Sequence, residues 1–224
     1  MRLPMTLDDY IADPANRFAT VAMCDTSGLL RGQMVSTANL RGIVHDPGAR
    51  NAVSQTFRHF IGGMQKYPGD MTLLFLPTVN SCRRFAAGTF APPGLTWGHE
   101  NRTTCLRIVG HDAASLRLEN RLPGTDTNPC LTVAATLAAT LAAGIIEAAE
   151  PEAGTVGNGH ARQAPRDFGH AMPEAVAALR GSAFARDWLG PRVVETFAAS
   201  REGQYNGFRR KVPDVELERF FDLG

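Results

Sequence analysis

The chain has 224 residues, of which 44% are hydrophobic and 20% are charged, so it has the composition of a globular protein with one or at most two domains. Its formal net charge of +1 gives no general attraction to nucleic acid or to an acidic membrane, and we expect neither as a partner. The most apolar run, residues 131–146, is shorter than a bilayer-spanning helix, and Asp8, Asp9 and Asp13 interrupt the region where a signal peptide would need an apolar core.

The cysteines and histidines indicate neither disulfide bonds nor a zinc site. The four cysteines are scattered without C-x-x-C spacing, and the six histidines form neither H-x-H nor H-E-x-x-H. Scattered cysteines are typical of a reducing compartment. We therefore expect a cytoplasmic protein.

The first part of the chain predicts a hairpin and a helix. A short capped helix is expected over 6–15, and the alternating segments 17–24 and 29–35 around a D-T-S-G turn predict an antiparallel hairpin. A turn cluster at 45–51 precedes a helix over 53–67, where apolar residues recur at helical spacing. An isolated hairpin is marginal in water, so this one has to add to other structure.

Residues 70–97 are rich in proline and glycine and are interpreted as an irregular segment that carries Arg83 and Arg84. Two alternating segments follow, 105–109 and 116–121, and they predict an antiparallel strand pair joined by a turn.

Charged residues are concentrated in and around this predicted strand pair. Arg117, Glu119 and Arg121 share one strand face, because side chains at i, i+2 and i+4 point the same way. Arginine forks match carboxylate and phosphate oxygens, and a glutamate among them can bind a divalent cation. The alternative is a solvated face with ordinary ion pairs. Spacing alone leaves both interpretations open.

The second half is predicted to be helical. A helix over 131–149 is apolar on every side and is expected to be buried. Further helices are predicted over 173–180, 183–188, 191–208 and 214–221, with the core aromatic residues Trp188, Phe197, Phe208 and Phe220. The predicted fold class is α+β, a small antiparallel sheet backed by helices.

Three segments resemble motifs of the glutamine synthetase family. The segment P-T-V-N-S-C-R-R at 77–84 is similar to the family's P-T-x-N-S-Y-K-R, and W-G-H-E-N-R-T-T-C-L-R-I at 97–108 to its W-G-x-x-N-R-(S/T)-x-x-x-R-I. The segment R-L-E-N-R-L-P-G-T-D-T-N-P at 117–129 is similar to its R-x-E-x-R-x-P-G-x-D-x-N-P. The likeness also includes R-H-F-I-G-G-M at 58–64 and the hairpin at 17–35.

This resemblance implies a ligase that uses ATP and Mg²⁺ or Mn²⁺ to phosphorylate the γ-carboxylate of glutamate, after which an amine or ammonia displaces phosphate. It implies that Glu119 binds the metal and that Arg84 and Arg121 contact the glutamate substrate. The residues implied around the nucleotide phosphates and the transferred phosphoryl group are Arg102, Arg107 and Arg117. Family members assemble as rings, so a homo-oligomer or association with a full-length relative is expected.

Two departures from the family pattern change what is expected. Phe90 stands where glutamine synthetases proper have a glutamate, which favours an amine substrate over ammonia and the γ-glutamylpolyamine (glutamylputrescine) branch of the family. The family's long central section, with its E-x-E strand, two further metal glutamates and H-x-H-x-S loop, has no counterpart where Ile43 runs into His45. One metal ligand does not organise a two-metal site.

The resemblance divides the chain into residues 1–44, a remnant of an N-terminal β-grasp domain, and 45–224, the C-terminal half of a catalytic domain. Two hypotheses about function follow. The chain is a glutamate–amine ligase, or it is a catalytically incompetent relative that acts as an interaction module or survives as a remnant, whether the deletion is natural or an artefact of the gene sequence. We also expect the missing strands to leave sheet edges exposed.

Overall fold

The computed structural model describes residues 18–24, 30–36, 46–85, 89, 91–92, 94–112, 115–139, 146–161 and 171–221, the first two ranges for their backbone alone. The helix predicted at 6–15 and the residue Phe90 lie outside these ranges. The strands are β1 (Phe18–Cys24), β2 (Leu30–Ser36), β3 (Trp97–His99), β4 (Leu106–Val109) and β5 (Arg117–Asn120).

The α-helices in the described ranges are α1 (Gln55–Lys66), α2 (Thr72–Phe75), α3 (Val79–Arg83), α4 (Pro129–Ala139), α5 (Met172–Gly181), α6 (Ala183–Leu189), α7 (Pro191–Arg209) and α8 (Asp214–Phe220). Two short 3₁₀ helices span Arg50–Ala52 and Gly159–Ala161. None of the described helices is long and apolar enough to cross a bilayer.

The strands form two small sheets. β1 pairs with β2 antiparallel, with Phe18 opposite Ser36, which confirms the predicted hairpin. β4 and β5 are antiparallel as predicted, and β3 lies parallel to β4 on its other side. The α+β class is therefore confirmed. The parallel strand was not predicted, because three residues are too few to show an alternating pattern.

Helix α1 confirms the helix predicted after the turn cluster. The Ser54 hydroxyl accepts a hydrogen bond from the Phe57 main-chain N–H at 3.0 Å, so this serine satisfies a donor that the helix leaves unpaired at its start. Phe57, Ile61 and Met64 recur at helical spacing and are buried in the core. The helix ends at Lys66, just before Pro68.

Residues 70–97 are more regular than predicted, and the interpretation as an irregular segment is wrong for α2 and α3. The apolar run Leu73–Leu76 is fully buried, so it belongs to the core and not to a surface loop. Thr78 begins α3 and accepts a hydrogen bond from the Ser81 N–H at 3.1 Å. Helices of four and five residues are too short to show a periodic pattern.

The helix predicted over 131–149 is shorter than expected. Residues 147–150 are not helical, and they lie against α1, where the main chain of Ala149 approaches Gly62. Of the described residues of α4, only three alanines are fully buried and Leu137 is 37% exposed, so the prediction of burial on every side is also wrong.

The four C-terminal helices occur where they were predicted. Three of their aromatic residues are not core residues, however: Trp188 is 40%, Phe208 52% and Phe220 53% exposed. Phe197 packs partly buried against the core. The reason is that α7 turns Val194 and Ala198 inward, whereas α8 buries none of its residues.

Candidate functional site

The centre of the site is a pair of opposed charged residues on the β4–β5 pair. Arg107 stands opposite Glu119 in the strand register, and the arginine Nη1 lies 3.1 Å from the glutamate Oε2. Arg117 reaches the other oxygen of the same carboxylate, with Nη2 3.3 Å from Oε1. The face predicted for Arg117, Glu119 and Arg121 is therefore present for the first two, and the strand pairing adds Arg107 to it. Arg121 lies just beyond the end of β5.

A fourth charged residue, Glu100, completes this chain of charges. Its Oε2 lies 2.6 Å from Nη2 of Arg107, and its Oε1 accepts a hydrogen bond from the Gly110 N–H at 3.0 Å. The hydrogen bond from Gly110 and the guanidinium of Arg107 lower the pKa of Glu100 below its ordinary value. Each Nη group of Arg107 thus faces a carboxylate.

Sequence reasoning missed Glu100 because its contact depends on the parallel strand. Glu100 directly follows β3, and its main-chain N–H donates to the Ile108 oxygen at 2.8 Å, which brings it beside β4. It occupies a left-handed backbone conformation with φ of 50°, unusual for a residue other than glycine. A carboxylate inside the W-G-H-E-N-R motif was the signal available in the sequence.

Arg121 and Arg102 lie at the end of β5, where Arg121 turns towards the main chain. Its Nη1 donates to the carbonyl oxygens of Arg102 and Thr104, the latter at 2.8 Å. The Arg102 side chain is exposed and lines a cavity of about 1050 Å³ between β3 and the segment 151–157. Arg121 therefore fixes the loop that presents Arg102.

Arg84 lies on the neighbouring side, beside the chain that leaves β5. Its Nη groups donate to the carbonyl oxygens of Pro123, at 3.0 Å, and Leu122. Burial lowers the pKa of this guanidinium, and Arg121 is close enough to lower it further. Arg84 thus contacts the main chain of Leu122, the residue that follows Arg121. The Arg84 Nε is buried without a hydrogen-bond partner.

Asp126 organises the wall of the smaller cavity next to Arg84, which has a volume of about 690 Å³. Burial alone would raise the pKa of Asp126, but hydrogen bonds from Ser81 at 2.5 Å and Thr78 at 2.6 Å outweigh it and the pKa is lowered. This carboxylate ties the start of α3 to the P-G-T-D-T-N segment.

The residues around Glu119 do not fit a divalent metal site. Both oxygens of Glu119 face guanidinium groups, and the described part of the chain contains no group of three or more histidine, cysteine, aspartate or glutamate side chains able to hold a metal. Mg²⁺ and Mn²⁺ require several oxygen ligands. The metal-binding role implied for Glu119 stays a prediction.

Two E-x-E sequences do occur, but away from this face. Glu150 and Glu152 follow α4, and Glu150 is paired with His59 at 3.0 Å. Glu216 and Glu218 lie on the exposed helix α8. Neither pair stands on a strand beside Glu119, so neither replaces the family's E-x-E strand.

Comparison with known proteins identifies the relatives of this arrangement. The family model for the glutamine synthetase catalytic domain matches residues 32–220. A γ-glutamylethanolamide synthetase, GlnA4, of Streptomyces coelicolor is 38% identical over 186 residues, which are 79% of this chain and 39% of that protein. A glutamate–isopropylamine ligase of a Pseudomonas species is 30% identical, covering 84% and 42%.

A third curated relative is the γ-glutamylputrescine synthetase PuuA of Escherichia coli, which is 32% identical over 82% of this chain and 39% of that protein. Among solved structures, GmaS without ligand superposes with a TM-score of 0.70 at 29% identity, covering 86% of this chain and 46% of the other. The chain spans about two fifths of the length of these curated relatives. It belongs to the glutamine synthetase family and comprises part of that family's catalytic domain.

Proposed function

We propose that this chain provides the anion-binding half of an ATP-dependent ligase that joins the γ-carboxylate of glutamate to an amine. The observation that carries the proposal is the face on which Arg107 and Arg117 flank Glu119. Arg102 lines the cavity that Glu100 also lines, and it is the third arginine assigned to the phosphates. A solved structure similar to this chain, a GmaS complex with ADP, superposes with a TM-score of 0.71 at 28% identity and supports a nucleotide as ligand.

The chemistry needs concentrated positive charge. A γ-carboxylate oxygen of glutamate attacks the γ-phosphorus of ATP, ADP leaves, and the amine then displaces phosphate from the acyl phosphate while losing a proton. Negative charge accumulates on non-bridging oxygens in both steps, and fixed guanidinium groups stabilise it without reorganising. In this proposal the exposed Arg102 and Arg117 receive the phosphates, and Arg107, whose Nη groups face Glu100 and Glu119, adds positive charge behind them.

The glutamate substrate is assigned to the other pair of arginines. Arg84 donates to the carbonyl oxygen of Leu122, which follows Arg121, so a substrate carboxylate bound at the end of β5 would lie within reach of both guanidinium groups. Both are held by main-chain carbonyl groups, so their positions are fixed before a ligand arrives. This is the arrangement expected of a substrate carboxylate site.

An amine, rather than ammonia, is the proposed nucleophile. The names of the three curated relatives described above refer to glutamylethanolamide, isopropylamine and glutamylputrescine. Phe90, in place of a carboxylate, would line an apolar pocket for the carbon chain of such an amine. Ammonia outcompeting these amines in a complete relative with phenylalanine at this position would contradict the assignment.

The second candidate function is a non-catalytic interaction module. It is favoured by the donor set around Glu119, which does not fit a divalent metal in the described part of the chain. A chain that provides only the anion-binding half of the active site, a half-site, would need metal-binding carboxylates supplied by another chain, such as a full-length relative. Under either hypothesis, we do not expect the chain alone to catalyse the ligation.

Measurement of ADP release from ATP, with Mg²⁺, glutamate and a panel of ammonia, ethanolamine, isopropylamine and putrescine, tests whether the chain alone is a ligase. Glu119→Ala serves as the matched control, and circular dichroism establishes that both proteins are folded. We expect no release above the control. Release above it, strongest with one of the amines, would show that this chain is itself a ligase and reject the half-site.

A further inference from the structure

The strand β5 is an edge strand whose sequence is complementary to itself. In the described part of the structure it pairs with β4 on one side, and no other strand pairs with its second edge. Unpaired strand edges are sites at which another strand can be added. The chemistry of the β5 edge indicates which strand it accepts.

The hydrogen-bond register shows which main-chain groups face outward. Arg121 donates its N–H to the Cys105 oxygen at 2.9 Å, so these two residues bond across the β4–β5 pair. Bonded and non-bonded residues alternate along an antiparallel pair, so Glu119 and Arg117 also bond towards β4. The N–H and C=O groups of Leu118 and Asn120 therefore point away from β4.

The opposite side of β4 supports this assignment. Leu106 donates its N–H to the Thr96 oxygen at 2.9 Å, and the Ile108 oxygen accepts from Glu100 at 2.8 Å. These two residues of β4 face β3, so Arg107 between them faces β5. The outward groups of Leu118 are then the natural centre of any added strand pairing.

We propose that β5 pairs with β5 of a second copy of this chain, antiparallel and centred on Leu118. In that register the two Leu118 residues exchange main-chain hydrogen bonds across a two-fold axis, and Arg117 of each copy stands opposite Glu119 of the other. Residues opposite each other at a non-hydrogen-bonded position have closely spaced side chains, and opposite charges there are favourable. The order Arg-Leu-Glu makes the edge complementary to itself.

The exposure of the three side chains fits this partner. The Arg117 side chain is 58% exposed and that of Glu119 is 34% exposed, so both can reach a second chain. Leu118 is partly buried against the core, so its own side chain does not obstruct the pairing. A four-residue strand buries less than the roughly 1,200 Å² of a standard interface, so we expect a weak dimer that depends on concentration.

Disulfide cross-linking tests the register directly. Arg117→Cys and Glu119→Cys are prepared as separate full-length proteins, mixed and oxidised. In the proposed register residues 117 and 119 of different copies lie about 4.5 Å apart between Cα atoms, within disulfide range, whereas identical residues are diagonal at roughly 7–8 Å. The mixed pair also keeps one Arg117–Glu119 contact on its other side.

We expect about fivefold more cross-linked dimer in the mixture than in either variant alone, on a non-reducing gel. The unsubstituted chain reports any background from its native cysteines. Equal cross-linking in all samples, or none in the mixture, would overturn the proposal. Because the cross-link is local, assembly through another surface does not mask it.

Charge reversal gives a second, independent measurement. Arg117→Glu and Glu119→Arg each place like charges opposite one another, and we expect each to abolish the concentration-dependent dimer in sedimentation velocity. The double exchange, with both substitutions, restores opposite charges and should restore the dimer. A double exchange that behaves like the single variants in folded protein would contradict the pairing.

Discussion

Arg107 on β4 and Glu119 on β5 stand directly opposite each other, with Nη1 and Oε2 3.1 Å apart. The same guanidinium reaches Glu100 through its second Nη, at 2.6 Å. One arginine thus bridges a carboxylate on β5 and a carboxylate that follows β3, and links all three strands. Its side chain is only 14% exposed, so solvent screens these contacts less than at a free surface.

Replacement of Arg107 by lysine is expected to weaken this bridge, because one ammonium group cannot match both carboxylates as a planar fork does. We expect Arg107→Lys to lower the melting temperature and Arg107→Ala to lower it further. A double-mutant cycle with Glu119→Gln should give a coupling free energy of about 0.5–1 kcal/mol. A coupling of zero would show that the two residues are neighbours without interaction.

Gly62 provides the sharpest test of the packing between α1 and the segment after α4. A Cβ atom at Gly62 would lie 2.0 Å from the main-chain oxygen of Ala149, so the backbone itself would have to move. We expect Gly62→Ala to destabilise the protein by about 1–3 kcal/mol in urea denaturation.

The matched control is Gly203→Ala in the middle of α7, where a Cβ atom meets nothing within 4 Å. Alanine there should stabilise the protein by about 0.5–1 kcal/mol, because it restricts the unfolded chain and favours helix. Equal effects of the two substitutions would mean that Ala149 does not pack on α1 in solution.

The carboxylates of Glu147 and Glu150 bind the segment 147–150 to α1 and make the stability of the protein depend on pH. Glu147 accepts hydrogen bonds from Lys66 and, at 2.6 Å, from the Tyr67 hydroxyl, and these lower its pKa. Burial alone would raise the pKa of Glu150. The hydrogen bond with His59, at 3.0 Å, helps to outweigh the effect of burial, so the pKa of Glu150 is lowered as well.

A lowered pKa in the folded state means that the stabilising contribution is complete above the ordinary value of 4.5 and is lost as the pH falls through the folded-state value. We expect the melting temperature to drop below this pH. The drop should be shallower in the Glu147→Gln, Glu150→Gln double variant, followed by differential scanning calorimetry. Parallel profiles for the two proteins would contradict the role of these carboxylates.

The cysteines should differ in reactivity. Complete burial raises the pKa of the Cys105 thiol to about 12, and burial raises that of Cys82 as well, whereas Cys130 is partly exposed. The thiolate is the reactive form, so native-state alkylation followed by peptide mass spectrometry should modify Cys130 before Cys82 and Cys105, the other two cysteines whose side chains the structure describes. Rapid modification of Cys105 would show that β4 opens readily.

The sequence is sufficient to predict the helices and strands whose hydrophobic pattern repeats over several residues. Helix α1 and the β4–β5 pair could be predicted because each shows its own period over enough residues. The common face of Arg117 and Glu119 follows from the same strand period. Helices α2 and α3 could not be predicted, since one turn of helix has no period and the burial of residues 73–76 depends on tertiary packing.

The contacts between elements were beyond the sequence for a different reason. The contact of Arg107 with Glu119 depends on the strand register, and that with Glu100 on the parallel strand β3, which links residues seven positions apart. Phe208 and Phe220 show the converse case. The sequence predicts them as core residues, but about half of each side chain is exposed in the described structure.

Titration of the full chain with ADP by isothermal calorimetry tests the proposed anion-binding face most directly. Arg117→Ala removes one exposed guanidinium from that face, and Arg192→Ala removes an exposed arginine from the start of α7 as the matched control. We expect the unsubstituted chain to bind ADP, Arg117→Ala to bind it about tenfold more weakly, and Arg192→Ala to match the unsubstituted chain. Folded protein that gives no binding heat, or equal affinity in all three proteins, would contradict an anion-binding half-site on the β4–β5 face.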